Sequence, residues 1–180
     1  MLTVGDQFPS FDLKACVTTD TLDFPRITDK SYAGKWLLVF FYPKDFTFVC
    51  PTEIKGFSDL TDQFADRDTQ ILSASTDTEF VHLAWRKDHK DLNNLKFPML
   101  ADTNKKLCRA LGILDEEEGV AQRATFLVDP NGAIQFAYVT AGSVGRNPQE
   151  VLRVLDALQT DELCPCNWKQ GDATIDLAVA

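Results

Sequence analysis

The chain has 180 residues, 44% of them apolar and 25% charged, and 18 Lys and Arg stand against 27 Asp and Glu for a net charge of −9. A chain of that length can bury about 70% of its unfolded surface, so its core needs neither metal nor disulfides. The acid excess disfavours nucleic acid as a general partner, because a phosphate backbone is held by a basic surface. No apolar run approaches a membrane span, and the opening residues lack the basic and apolar regions of a secretory leader, so a soluble, cytoplasmic chain is expected.

Residues 36–42 (WLLVFFY) form a continuous apolar run of strand length and read as a central strand buried on both faces. After the Pro43-Lys44-Asp45 break, Ile54, Phe57, Leu60 and Phe64 recur at helical spacing, which predicts a helix over 50–66. A strand over 70–75 and a helix over 78–89 follow, with Val81, Ala84 and Trp85 expected on its inward face. Residues 97–100 read as a short strand and 104–111 as a short helix, and the acidic run at 115–118 as a solvated loop. Two β-rich runs, 123–128 and 133–140, flank Asp129-Pro130-Asn131-Gly132, a strong hairpin turn. A last helix over 148–158 carries Val151, Leu152, Leu155 and Leu158 on one stripe, with Pro148 suited to its first turn. This order predicts an α/β chain with a mixed central sheet flanked by helices, as in a thioredoxin-like fold. Residues 1–160 are expected to form the domain, and 161–180, polar and irregular, a C-terminal arm that docks on something.

Five cysteines are too few for a disulfide scaffold, and their number is odd. Cys50 is the sharpest feature, because it stands at the predicted start of a helix and is followed by Pro51. A helix N-terminus offers free N–H groups and the positive end of the dipole, which favour a thiolate. An ordinary thiol of pKa about 8.5 is only about 3% ionised at pH 7, and lowering it to about 6 takes about 3.4 kcal/mol. A helix terminus supplies about 0.3–1 kcal/mol and at most about 2, so a cation should stand beside such a thiol. Arg123 and Arg146 are the candidates, against the ordinary reading of any single arginine as a solvated surface charge. The bland alternative for Cys50 is a small buried hydrophobe, which is what free cysteines usually are.

Cys164-Pro165-Cys166 is the second feature, and its spacing does not suit zinc. A thiol pair in a polar tail makes sense as redox partners for a reactive thiol elsewhere. Cys16 and Cys108 lie in strand-like and helix-like segments and read as packing residues, and His82 and His89 read as ordinary surface or packing residues. No Walker A, Gly-x-Gly-x-x-Gly, His-Glu-x-x-His, Gly-x-Ser-x-Gly or Cys-x-x-Cys motif occurs.

FYPKDFTFVCPTE at 41–53 and CPCNW at 164–168 closely resemble the typical two-cysteine peroxiredoxins, in particular the bacterial alkyl hydroperoxide reductase C group. The similarity runs through VGDQFPSFDL, GKWLLVFFYP, HLAW, FPMLAD, RATFLVDPNG and VGR. Its most specific part is Pro-x-x-x-Thr-x-x-Cys, here Pro43, Thr47 and Cys50. The resemblance implies that Cys50 is the peroxidatic cysteine, with Thr47 bonding the sulfur and the incoming peroxide and Pro43 shielding the site. It implies Arg123 as the active-site arginine, Arg146 as a supporting one and Glu53 as the residue that orients both. Cys164 would be the resolving cysteine, reaching Cys50 of a partner subunit in an antiparallel homodimer, and dimers would assemble into a ring. Cys166 is an addition that could also resolve, or relay the disulfide outward.

The implied substrates are hydrogen peroxide and organic hydroperoxides. The external reductant would be an AhpF-like flavoprotein, an AhpD-like adaptor or thioredoxin, and no bound cofactor is required. The Gly-Gly-Leu-Gly insertion and terminal Tyr-Phe helix of peroxide-sensitive eukaryotic members are absent, which implies resistance to overoxidation. Two other functions fit parts of the sequence: a protein disulfide reductase, which the lack of Cys-x-x-Cys disfavours, and an accessory holdase ring.

Overall fold

A computed structural model describes residues 1–177. Nine strands and five helices are present among them: β1 (Asp12–Cys16), β2 (Arg26–Thr28), β3 (Trp36–Phe41), α1 (Cys50–Asp59), α2 (Thr61–Ala65), β4 (Thr69–Ser75), α3 (Glu79–Asp88), β5 (Met99–Ala101), α4 (Lys106–Leu111), β6 (Leu114–Asp115), β7 (Val120–Ala121), β8 (Arg123–Val128), β9 (Ile134–Thr140) and α5 (Pro148–Gln159). Seven strands form one sheet in the order β2-β1-β5-β4-β3-β8-β9, and β6 and β7 form a separate two-stranded ribbon. The pairs β3–β4 and β4–β5 are parallel, and the other pairs of the main sheet are antiparallel. The sheet is therefore mixed, with β3 at its interior.

The apolar run of β3 is explained by cover on both faces. Leu38 and Phe40 point to one side with Tyr42, into a core shared with Ile54 and Phe57 of α1, Trp85 of α3 and Leu155 of α5. Leu37, Val39 and Phe41 point to the other, against Leu107, Cys108 and Leu111 of α4 and Phe126 of β8. The hairpin between β8 and β9 turns on Gly132, whose φ of 85° suits a residue without a Cβ. Asp129 closes that turn, its carboxylate accepting the N–H groups of Asn131 and Ala133. Asn147 caps α5 by accepting from the N–H groups of Gln149 and Glu150.

Local differences from the sequence expectation have identifiable causes. The helix expected over 50–66 is interrupted at Leu60 (φ −101°, ψ 4°), where the Thr61 hydroxyl donates back to Phe57 O. On α3 the inward face holds His82, Leu83, Trp85 and Arg86, while Ala84 is exposed. Hydropathy misplaces that face because its polar members find acceptors inside: His82 meets Asp45 and Leu100 O, and Arg86 donates to Cys16 O and Leu95 O. The acidic run forms the tip of the β6–β7 ribbon, in which Asp115 accepts from the N–H groups of Glu117 and Glu118.

Candidate active site

Cys50 is the first residue of α1, at the end of the loop that leaves β3. The helix has no side-chain cap, and Pro51 occupies its opening turn. Pro51 has no N–H, the N–H groups of Thr52 and Glu53 turn back to Val49 O at 3.1 and 3.4 Å, and Cys50 itself is 1% exposed. Arg123, at the start of β8, places Nη1 3.6 Å from Cys50 Sγ. A guanidinium cation therefore stands beside the thiol.

Three charged groups from distant parts of the chain meet behind the thiol. Glu53, one turn along α1, is 3% exposed, Arg123 3% and Arg146 7%. Glu53 Oε2 pairs with Arg123 Nη1, and Arg146 Nη2 donates to the same oxygen at 3.0 Å. Glu53 Oε1 accepts from Arg146 Nε at 2.8 Å and from its backbone N–H at 2.9 Å. Arg123 Nη2 donates to Gly142 O at 2.7 Å, and Arg146 Nη1 to Ala124 O at 2.8 Å and to Thr125 Oγ1 at 3.0 Å. The Arg146 guanidinium also lies over Phe40 and Phe57, 5.2 and 5.9 Å from the ring centroids. Burial lowers its proton affinity, and the Glu53 carboxylate opposes that shift. Two arginines and one carboxylate leave a net positive charge facing Cys50, which a thiolate would neutralise.

Arg123 Nε is buried and has no hydrogen-bond partner among the described residues. A cavity of about 750 Å3 opens beside the thiol, lined by Pro43, Thr47, Phe48, Cys50, Val120 and Val139 among others. Thr47 Oγ1 donates to Lys44 O at 2.9 Å, so its hydroxyl is engaged within the loop and not with the sulfur. Lys44 crosses the rim to Glu118 at 3.0 Å.

Cys164 and Cys166 stand elsewhere. Cys164 is half-buried at the C-terminal end of α5, its sulfur 3.4 Å from Thr160 Oγ1 and 3.8 Å from Ala157 O, and Cys166 is exposed. Their segment docks on α5 through Trp168, which is 4% exposed and whose carbonyl accepts from Arg153 at 2.9 Å. Cys16 and Cys108 are fully buried, and burial raises both thiols above their ordinary value. Sequence reasoning named Cys50, Glu53, Arg123 and Arg146. It did not name Gly142, Ala124 or the two phenylalanine rings, since backbone carbonyls and ring faces carry no pattern in sequence.

A thioredoxin-like sheet with one thiol at a helix start, an arginine beside it and no second cysteine in that turn is the arrangement of a peroxiredoxin. The chain belongs to the AhpC/TSA family, whose model matches residues 4–137. The alkyl hydroperoxide reductase C of Mycolicibacterium smegmatis is 57% identical over 98% of this chain and 94% of its own length. The putative peroxiredoxin YkuU of Bacillus subtilis is 46% identical over 96% of this chain and 97% of its own. Among solved structures, Mycobacterium tuberculosis AhpC superposes with a TM-score of 0.86 at 56% identity, covering 94% of this chain and 99% of that one. The reduced two-cysteine peroxiredoxin of Plasmodium vivax does so at 0.90 and 35% identity, covering 97% and 93%.

Proposed function

We propose that this chain is a thiol peroxidase that reduces hydrogen peroxide and organic hydroperoxides through Cys50. The thiolate attacks one peroxide oxygen: an S–O bond forms, the O–O bond breaks, and the departing oxygen takes a proton and leaves as water or alcohol. Cys50 is then a sulfenic acid. The observation that carries this reading is the Arg123 guanidinium 3.6 Å from the Cys50 sulfur at the start of α1. Arg123 stabilises charge moving onto the departing oxygen, and its unpartnered Nε–H is a donor left for a peroxide. Glu53 and Arg146 hold Arg123 in place, Pro43 screens the cavity, and Thr47 turns its hydroxyl to the bound peroxide. A cavity of about 750 Å3, whose lining includes Phe48, Val49, Val120 and Val139, leaves room for an alkyl group.

Residues 161–180 act as the arm that resolves the sulfenic acid. The Cys164 thiolate of a partner subunit attacks the Cys50 sulfur, an S–S bond forms and hydroxide leaves as water. An external dithiol, from an AhpF-like flavoprotein, an AhpD-like adaptor or thioredoxin, then restores both thiols with two electrons, and exposed Cys166 relays the exchange. The homodimer is supported by β9, which ends the sheet order with one side unpaired among the described residues. A ring of dimers is supported by two exposed aromatic side chains, Phe46 beside Trp85 and Phe80 beside Phe24, 54% and 57% exposed. No helix among the described residues is long and apolar enough to cross a membrane. The proposed cytoplasmic location is supported by the bacterial alkyl hydroperoxide reductase C relatives.

The test is a non-reducing peptide map after one equivalent of hydroperoxide. A disulfide joining Cys50 to Cys164 or Cys166 across two subunits is the expected result. A Cys50 that stays a thiol overturns the proposal.

A further inference from the structure

The loop between β3 and α1 carries Pro43 and Thr47, yet its firmest bonds are made by a residue with no role in the chemistry above. Asp45 is 7% exposed, and both of its carboxylate oxygens are occupied. Oδ1 accepts from the Tyr42 hydroxyl at 2.8 Å, and Oδ2 lies 2.7 Å from His82 Nδ1. His82, fully buried on α3, has its other nitrogen 3.1 Å from Leu100 O. A carbonyl oxygen only accepts, so Nε2 carries a hydrogen, and Nδ1 shares a further hydrogen with Asp45. Burial, followed by the neighbouring Asp45 charge, raises Tyr42 well above its ordinary value and keeps its hydroxyl a donor. The Asp45 backbone N–H donates to Asp77 Oδ2 at 2.9 Å, in the turn before α3. Next along the chain, Phe46 adopts φ 55°, a conformation that a bulky residue holds only under constraint, and its ring lies 5.9 Å from that of Trp85.

We propose that Asp45 and His82 form a positioning pair for the peroxide step, pinning the loop to α3 so that Pro43 and Thr47 keep their places beside Cys50. The proposal rests on the reading of Cys50 as the peroxidatic thiol. Thr47 reaches only back to Lys44 O, inside the loop, so its place follows from how the neighbouring Asp45 is anchored. His82 is thereby a part of the site that touches neither peroxide nor sulfur.

Two substitutions at His82 test the pair. In His82→Asn the amide nitrogen falls near the position of Nδ1 and keeps a donor for Asp45, whereas His82→Gln reaches toward Leu100 and loses that donor. The second-order rate of Cys50 with hydrogen peroxide should fall by about tenfold or more in His82→Gln and by no more than about threefold in His82→Asn, as expected for lost positioning. Alkylation of Cys50 by iodoacetamide, which needs no ordered peroxide, should stay within about twofold of the unsubstituted protein in both. A folded His82→Gln with an unchanged peroxide rate overturns the proposal, as do equal losses in the two variants or parallel losses of peroxide and alkylation rates. If His82→Gln does not fold, Tyr42→Phe replaces it: a loss of about threefold is expected, and an unchanged rate overturns the pair. An unsubstituted protein that reacts with iodoacetamide but not with peroxide would instead overturn the peroxidase reading itself.

Discussion

Glu53 and Arg146, 93 residues apart, are joined three times: Glu53 Oε1 accepts from the Arg146 backbone N–H and Nε, and Oε2 from Nη2. Because Oε2 also pairs with Arg123, the carboxylate fixes the angle at which the second guanidinium meets Cys50. Glu53→Gln removes the charge but keeps the shape, leaving two buried guanidinium groups short of a counter-ion. Breaking a buried pair in this way costs about 3–5 kcal/mol. Urea unfolding should show a loss of that size, and the peroxide rate should fall with it.

Arg123→Lys separates charge from geometry. A lysine keeps a positive charge but cannot present the planar fork that bonds Glu53 and Gly142 O and still faces Cys50. Stopped-flow oxidation should be slower by about 10²-fold, the loss typical of one preorganised donor.

The two arm cysteines should separate by product. In Cys164→Ser, peroxide should leave Cys50 as a sulfenic acid that dimedone traps, with no intersubunit disulfide on a non-reducing gel. In Cys166→Ser the disulfide should form at an unchanged rate, and turnover with a protein reductant should slow. A Cys166→Ser protein that forms no disulfide would reassign the resolving role to Cys166.

Alkaline pH should destabilise the fold from within. Burial raises Cys16 and Cys108, and Tyr42 is raised well above its ordinary value, so each holds its proton longer in the folded than in the unfolded chain. The unfolded chain then binds fewer protons, and stability falls as pH rises from about 8.5, where unfolded thiols ionise, into the range where tyrosine follows. Thermal unfolding from pH 7 to 10 should show the midpoint dropping, and Cys108→Ala should flatten that drop.

Much of the architecture is legible in the sequence itself. WLLVFFY identifies β3, because a strand covered on both faces has no polar side to show. Asp-Pro-Asn-Gly identifies the β8–β9 hairpin, and Pro148 the start of α5. The inward face of α3 was not legible: His82 and Arg86 look like surface residues, and only acceptors on other segments make their burial tolerable. The break at Leu60 was also hidden, since the apolar spacing of Phe57, Leu60 and Phe64 continues across it.

The same division holds at the site. The sequence identifies which thiol begins a helix, because Pro51, the apolar stripe behind it and the strand before it are local signals. It also determined that this thiol needs a cation, from the limited strength of a helix terminus. That Arg123 and Arg146 meet at Cys50, bound by Glu53 and Gly142 O, follows only from the assembled sheet. A solvated arginine and a buried one are the same letter. Their difference lies in the carboxylate and carbonyl groups that distant segments bring to them once the sheet has formed.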